Sequence, residues 1–95
     1  MAQVLITAEA RRDIDAAASA LELPPSHWIR IARSLRVLET FPLSGPRLKG
    51  RWAPLRFVLG PWPWMVFLYR YDEFTDRVFV VAMHDARSAG SALAG

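Results

Sequence analysis

Cysteine is absent from the 95 residues of this sequence. Disulfide bonds and cysteine-based metal sites are therefore excluded, and a reducing cytoplasm is the compartment we expect. Long apolar runs are also lacking. The longest uncharged apolar stretch, residues 57–69, spans 13 residues and contains one glycine and two prolines, whereas a membrane-spanning helix needs about 20 apolar residues. The apolar run at residues 4–7 is too short for a secretion signal, so we expect no membrane association.

Motifs of metal and nucleotide chemistry are missing as well. The sequence has no glycine-rich phosphate loop, no HExxH pair, no carboxylate cluster with metal-site spacing and no Ser–His–Asp nucleophile set. Each of these patterns supplies the ligands or the nucleophile that its chemistry requires. We therefore expect neither a metal ion nor a nucleotide cofactor.

The sequence does contain enough apolar residues for one compact domain. Hydrophobic residues make up 53% of the chain and charged residues 22%, a balance that excludes intrinsic disorder. A chain of this length buries about 65% of the surface of its unfolded state, so it needs an efficient core. We expect a single domain over residues 1–95 with a flexible tail at about residues 88–95.

The basic residues are unevenly distributed along the chain. Residues 1–46 carry five basic and five acidic side chains. Between residues 40 and 71 no acidic side chain occurs, and the five basic residues there are Arg47, Lys49, Arg51, Arg56 and Arg70. A field of one sign predicts an acidic or polyanionic partner. The alternative is a solvated basic segment that keeps a hydrophobic protein in solution.

The spacing of apolar residues predicts six secondary-structure elements. The β-branched run at residues 4–7 predicts a strand, and helical spacing predicts a helix over residues 8–21 with Thr7 as its cap. Prolines end this helix, and a second helix is predicted from about residue 25 to residue 39. Alternating and β-branched runs then predict strands at residues 55–59, 64–71 and 77–84.

The element order β-α-α-β-β-β predicts an α+β fold, in which an antiparallel sheet is packed on one face by an N-terminal helical hairpin. The apolar run PWPWMVFLYRYDEF, Pro61–Phe74, is then the central strand and the start of its hairpin loop. Its apolar residues lie on both sides of the pleat, as in a strand covered on both faces. In the preceding strand, Arg56 points away from the apolar stripe of residues 55, 57 and 59.

Four stretches resemble the RelE/ParE superfamily of type II toxin–antitoxin toxins. VLITAEARRDID is similar to the family's first strand and T-x-x-A-x-x-D-[LI] helix, and PWMVFLYRYDE is similar to its third strand and hairpin. VVAMHDARSA is similar to the V-[LM]-H-x-[AR]-R pattern of its last strand, and FPLSGPRLKG to the loop before its second strand. The resemblance covers nearly the whole chain, with the four stretches in the family's order.

The resemblance implies a small toxin that is neutralised by a cognate antitoxin, a small protein with a DNA-binding N-terminal part. It also implies one of two activities. RelE-like members are ribosome-dependent endoribonucleases that cut messenger RNA, whereas ParE-like members inhibit DNA gyrase and are not nucleases. In both cases a helix or strand of the antitoxin would lie over the hairpin and the sheet, with acidic groups opposite Arg47, Lys49 and Arg56.

A nuclease site without a metal would need a base, an acid and cations around the scissile phosphate. By resemblance, Arg56 and Arg87 would lie around the concave sheet surface and stabilise the charge of the transition state. His84 would be the proton carrier, although a histidine here also resembles the LH-x-x-R of ParE-like members, where it has no nuclease role. The alternative for each arginine is an ion pair with a surface carboxylate.

An absence favours the ParE-like interpretation. Many RelE-like nucleases place an aromatic residue, usually tyrosine, near the C-terminus, but this chain has no Tyr, His, Lys or Glu after His84. We therefore predict a non-enzymatic toxin that binds DNA gyrase, with a metal-independent endoribonuclease as the alternative. The residues predicted to bind the target or the antitoxin are Arg47, Lys49, Arg51, Arg56, Trp62, Arg70 and Arg87.

Overall fold

The computed structural model describes residues 1–88. Apart from Ser88, the predicted tail at about residues 88–95 lies outside the described residues. The elements along the chain are β1 Gln3–Ile6, α1 Ala8–Ala20, α2 His27–Leu35, α3 Val37–Thr40, a 3₁₀ turn Gly50–Trp52, β2 Arg56–Leu59, β3 Met65–Asp72 and β4 Arg77–Asp85. No helix within residues 1–88 has the length and apolar character needed to cross a membrane.

The four strands form one sheet in the order β1-β4-β3-β2. β3 pairs antiparallel with both β2 and β4, which confirms the predicted α+β fold and the place of the apolar run inside the sheet. β1 pairs with β4 in parallel, so the sheet is mixed at that end. A parallel neighbour is possible there because helices, rather than a tight hairpin, connect β1 to the next strand.

Helix α1 begins where the sequence predicts. The Thr7 hydroxyl accepts a hydrogen bond from Ala10 N at 3.2 Å, which satisfies one of the free amides of the first turn. Ala10 and Ile14 are fully buried in the core, and Asp13 Oδ2 accepts a hydrogen bond from Met83 N of β4 at 3.0 Å. Helix α1 is therefore held on the sheet by apolar packing and by one side-chain hydrogen bond.

The second predicted helix is divided into α2 and α3. At the junction Arg36 N donates a hydrogen bond to Arg33 O, and this shorter-range bond tightens the last turn of α2. Arg36 keeps right-handed helical backbone angles, and the chain continues as α3. Both parts contribute to the buried side of the helical layer, with Ile31, Leu35 and Leu38 at its centre.

Strand β3 is covered on both faces, as predicted. Its residues 65–69 have no exposed surface. Met65, Phe67 and Tyr69 belong to the core cluster that includes the helices. Val66 and Leu68 point to the opposite face, because successive side chains alternate along a strand.

The orientation of β2 differs from the expectation. Val58 packs against the core cluster, whereas Leu59 is 53% exposed. The register is the reason, since Arg56 pairs with Tyr69 and Val58 with Phe67, and directly opposed residues share a face. Arg56 therefore lies on the helix side of the sheet, and the expectation that it lies on the side away from the helices is wrong.

Candidate functional site

Gly45 holds the loop before β2 against the sheet. Its amide donates a hydrogen bond to the Tyr69 hydroxyl at 2.9 Å. Its carbonyl accepts a hydrogen bond from Arg56 Nη1 at 2.8 Å, and the Leu43 carbonyl accepts another from the same nitrogen at 3.2 Å. Arg47 forms an isolated antiparallel bridge with Arg56. Two loop carbonyls therefore position the Arg56 guanidinium, and the backbone bridge holds Arg47 beside the start of β2.

Tyr69 is buried beside this loop. Burial raises its pKa above the ordinary tyrosine value, and the hydrogen bond from Gly45 and the charge of Arg56 oppose that rise. A neutral hydroxyl is thereby favoured at the point where β3 meets the loop. In this form the Tyr69 oxygen accepts the hydrogen bond of an otherwise unpaired amide.

We expect Tyr69→Phe to lower the free energy of unfolding at pH 7 by about 1–3 kcal/mol, because the buried Gly45 amide would lose its acceptor. Because burial raises the pKa of Tyr69, its contribution is complete below about pH 10 and is lost as pH rises through the folded-state pKa. The variant should therefore lose less stability than the wild type at alkaline pH. Urea denaturation at pH 7 measures the loss of stability, and the same experiment above about pH 10 measures how each protein responds to alkaline pH.

The matched control is Tyr71→Phe. The Tyr71 hydroxyl donates to Asp76 Oδ1 at 2.6 Å in the exposed hairpin, where water replaces a lost partner easily. We expect a change at pH 7 of less than about 1 kcal/mol. Equal losses for the two variants would show that the Gly45 amide does not depend on Tyr69.

The edge of β3 is open at its C-terminal end. Strand β2 begins at Arg56, opposite Tyr69, so within residues 1–88 the β3 residues 70–72 pair with β4 on one side and with no strand on the other. A groove of about 440 Å³ lies along this edge. We call it the edge groove, and its lining residues are Leu43, Arg47, Arg56, Arg70, Tyr71, Asp72, Glu73 and Phe74.

Three arginines give the edge groove its basic character. The two ion pairs within residues 1–88 are Arg12–Glu9 and Arg87–Asp85, so Arg47 and Arg56 form none in this part of the chain. The Arg70 guanidinium lies 4.3 Å from the Phe79 ring centre, and its charge contributes to the lowered pKa of Asp72. Asp72 belongs to the groove, but its carboxylate accepts a hydrogen bond from Phe74 N at 3.0 Å. Hydrogen bonds from the Thr75 side chain, above all, keep the Asp72 pKa below its usual value. Asp72 is therefore engaged by its own hairpin.

An apolar pocket adjoins the edge groove. It has a volume of about 550 Å³ and is lined by Thr40, Phe41, Pro42, Leu43, Ser44 and Tyr71. Leu43 and Tyr71 line both cavities. Phe41 is 62% and Leu43 56% exposed, although side chains of this kind usually gain by burial. The cationic groove and the apolar pocket therefore adjoin each other and together form one candidate surface.

His84 lies elsewhere. It pairs with Val66 and therefore points to the sheet face opposite the helices. The Trp52 ring covers it edge-on, with ring centroids 5.0 Å apart. The Arg51 guanidinium lies over the same Trp52 ring, 4.9 Å from its centre. His84 Nδ1 is buried without a hydrogen-bond partner in the described part of the chain. The 3₁₀ turn thus covers part of this histidine, which is half-buried as a whole.

Arg87 lies near the far end of the sheet. Its guanidinium donates two hydrogen bonds to the Asp85 carboxylate, at 3.0 and 2.8 Å, and these hydrogen bonds lower the pKa of Asp85 and raise that of Arg87. The same guanidinium lies 5.4 Å from the Trp64 ring centre. Trp64 stacks with Trp62 at 6.4 Å, and Trp62, one of the residues predicted to bind the target or the antitoxin, is half-buried against the core.

The structure brings together some of the predicted site residues and separates others. Arg47, Arg56 and Arg70 line one groove, and Lys49 and Arg51 are exposed on the loop that follows Arg47. Arg87 follows Asp85, which pairs with Met65, whereas Arg56 pairs with Tyr69. Four residues along β3 separate these two positions, roughly 13 Å. That Arg56 and Arg87 act on one surface stays a prediction.

Sequence reasoning missed the apolar part of the surface, namely Phe41, Leu43, Tyr71 and Phe74. Phe41 and Leu43 belong to a proline-containing loop, and Phe74 to a hairpin loop, so no periodic pattern marks the side they expose. The only available signal was the position of FPL directly before the basic stretch.

No protein-family model and no curated protein matches this chain. Solved structures are similar to it. A chain in the toxin–antitoxin complex RelBE2 from Mycobacterium tuberculosis aligns with a TM-score of 0.67 and 23% identity, over 88% of this chain and 96% of that chain. A copper-bound mutant toxin from Helicobacter pylori aligns with a TM-score of 0.66 and 18% identity, over 90% and 94%. A conserved hypothetical protein from Helicobacter pylori gives 0.51 and 16%, over 88% and 93%.

This chain has a RelE-like toxin fold. The similarity extends over nearly the whole of each compared chain, so the helices, the sheet and their order correspond. Copper is described for one of these proteins, but residues 1–88 of this chain contain no group of three or more His, Cys, Asp or Glu side chains that could hold a metal ion. The edge groove and the apolar pocket are its main candidate surface for a macromolecular partner.

Proposed function

We propose that this protein is the toxin of a type II toxin–antitoxin system and that a cognate antitoxin neutralises it. The observation that carries the proposal is the fold, shared over about nine-tenths of the chain with a protein from a toxin–antitoxin complex and with a bacterial toxin. The basic edge groove supports it, because an acidic segment of an antitoxin would have three arginines to contact there.

Within this class we propose a ParE-like toxin that arrests growth in the bacterial cytoplasm by binding a target, DNA gyrase by resemblance, rather than by cutting RNA. The separation of the candidate catalytic residues supports this choice. Arg56 is on the helix side of the sheet, His84 is under Trp52 on the other side, and Arg87 is paired with Asp85 at the far end. An acid, a base and a cation must act on one phosphate within hydrogen-bond reach.

The test is brief induced expression in bacterial cells without the antitoxin. We expect growth arrest, accumulation of gyrase–DNA cleavage complexes and intact messenger RNA. Co-expression of the small protein encoded by the neighbouring reading frame should restore growth. Immunoprecipitation of gyrase–DNA complexes and mapping of messenger RNA 5′ ends measure the two activities in the same cells.

The alternative, a ribosome-dependent endoribonuclease, has its own signature in this experiment. Cleavage of messenger RNA within codons, lost in the Arg87→Ala variant, would show that the toxin cuts RNA rather than binding gyrase. The assignment to the toxins would still stand. Unimpaired growth despite abundant folded protein would refute the toxin assignment itself.

A further inference from the structure

We propose that the outer surface of α2 and the start of α3 is where this toxin binds an acidic, partly apolar surface of its protein target. We call it the helix surface, and its residues are Ile29, Arg30, Arg33, Arg36 and Val37, all of them exposed. The inference rests on the proposed function, in which the target is DNA gyrase, and it adds where the target is bound. Its basis is three features: cations without acidic neighbours, exposed apolar side chains, and a tryptophan that holds one of the cations in place.

The helix surface carries charge of one sign. Residues 23–38 contain three arginines and no acidic side chain, and none of the three takes part in the ion pairs found within residues 1–88. Because an α-helix has about 3.6 residues per turn, arginines at every third position lie within about one third of its circumference. This side faces away from the buried Ile31, Leu35 and Leu38. Such a row of cations attracts an acidic partner and speeds its approach.

Two exposed apolar side chains belong to the same surface. Ile29 is 63% and Val37 44% exposed. Ile29 lies about one helical turn before Arg33 and Val37 about one turn after it, so the three side chains form a line along the helix. Exposed apolar side chains gain when another protein covers them, whereas a phosphate backbone offers them no apolar partner. Interfaces between proteins are rich in arginine and poor in lysine and acidic residues, which is the composition of the helix surface.

Trp62 fixes the position of one arginine. The Arg30 guanidinium lies over its ring, 5.6 Å from the ring centre, and Trp62 is itself stacked on Trp64 at 6.4 Å. A guanidinium ordered in advance loses little side-chain freedom when it binds a carboxylate. Next to it a cavity of about 250 Å³ is lined by Arg30, Arg33, Ser34 and Pro61. This cavity gives a side chain of the partner a place beside two guanidinium groups.

The helix surface is separate from the edge groove and the apolar pocket, since none of its residues lines either of them. The domain measures only 37 × 30 × 21 Å, so an antitoxin bound elsewhere on it can still exclude a large target by its bulk. A second copy of this chain would place the arginine rows against each other, and like charges oppose association. A nucleic acid would leave Ile29 and Val37 uncovered. Charge complementarity and apolar exposure together therefore favour a separate acidic protein.

The test is a charge reversal on the helix surface. Arg33→Glu combined with Arg36→Glu should abolish the growth arrest caused by induced expression. It should also weaken binding to purified DNA gyrase by at least roughly 100-fold, since two attractions become repulsions. Isothermal titration calorimetry with the full-length proteins measures the dissociation constant. The matched control, Arg12→Glu combined with Arg77→Glu, makes the same charge change at exposed positions outside this surface and should change binding less than about tenfold.

Binding of the antitoxin encoded by the neighbouring reading frame is the second measurement. By resemblance its acidic groups are expected opposite Arg47, Lys49 and Arg56, so reversal on the helix surface should change this dissociation constant less than about tenfold. Circular dichroism and thermal melting of each variant confirm that the domain is folded.

A double variant that melts well below the wild type would be replaced by Ile29→Glu. This single change places an acid opposite an acidic partner and should weaken binding to purified gyrase at least about tenfold. Leu59→Glu is its control, because Leu59 is another exposed apolar residue, 53% exposed, and lies on β2 outside the helix surface.

The outcomes separate this inference from the proposed function. Growth arrest and gyrase binding by the folded helix-surface variant, equal to those of its control, would overturn the helix surface as the target site and leave the toxin assignment standing. Equal losses in both double variants would indicate general charge attraction, and a parallel loss of antitoxin binding would indicate a site for the antitoxin. Either result overturns the inference.

Two further results have a clear meaning. Wild-type protein that binds duplex DNA alone as tightly as it binds gyrase, with the DNA binding lost in the helix-surface variant, would identify a nucleic acid as the partner and overturn the inference. Wild-type protein that neither arrests growth nor binds gyrase would refute the proposed function, and the inference with it.

Discussion

Gly45→Ala should lower the free energy of unfolding by about 3 kcal/mol or more, which for a domain of this size corresponds to a fall in Tm of roughly 12–24 °C. A Cβ at this position would collide with the Phe57 carbonyl oxygen and would lie 2.7 Å from the Tyr69 hydroxyl. One obstacle is backbone and the other is a buried ring, so neither can move aside cheaply. The collision would also disturb the hydrogen bonds of Gly45 with Tyr69 and Arg56.

Differential scanning calorimetry measures this loss, and Gly50→Ala is the matched control. Gly50 has a positive φ of 65° but has no atom within 4 Å of an added Cβ. Its substitution costs only the backbone strain of a left-handed residue, about 1–2 kcal/mol. If both variants melted at the same temperature, the close packing around Gly45 would not be a determinant of stability.

Phe67→Ala is expected to cost about 3–5 kcal/mol, because it removes a fully buried ring and leaves a cavity,. Phe67 is at the middle of β3, between Val58 of β2 and Met83 of β4, and belongs to the core cluster with the helices. Domains of this kind are stable by only about 5–15 kcal/mol in total. The substitution should therefore remove a large fraction of the total stability, which urea denaturation followed by circular dichroism would measure.

Phe74→Ala removes the same side chain from a position that is 94% exposed. We expect its free energy of unfolding to stay within about 0.5 kcal/mol of the wild type. This variant separates the effect of burial from that of the residue type. A similar loss for both substitutions would contradict the assignment of Phe67 to the core.

The order of elements could be predicted because each has a local signature. Thr7 followed by alanine-rich helical spacing marks the start of α1, and the Thr7 cap forms as expected. The apolar residues on both sides of the pleat at 65–69 predicted a strand covered on both faces, and all five residues are buried. The break at Arg36 was not predictable, because no proline or glycine marks it in the sequence.

The composition of the site was only partly predictable. The acid-free stretch 40–71 indicated the basic surface, and Arg47, Arg56 and Arg70 do line one groove. The sequence could not show that Arg56 shares a face with Val58 against the helices, or that Arg87 lies at the other end of the sheet. Strand register decides both, and it depends on which residues of separate strands are paired.

The sequence by itself determined the fold class, the buried strand and the sign of the charge presented to a partner, because periodicity, caps and net charge are local properties of the chain. Only the tertiary structure decided which charges meet. The edge groove exists because β2 stops opposite Tyr69 while β3 continues, and because Gly45 allows the preceding loop to approach within hydrogen-bond distance. Both are contacts between residues distant in sequence, which no local pattern encodes.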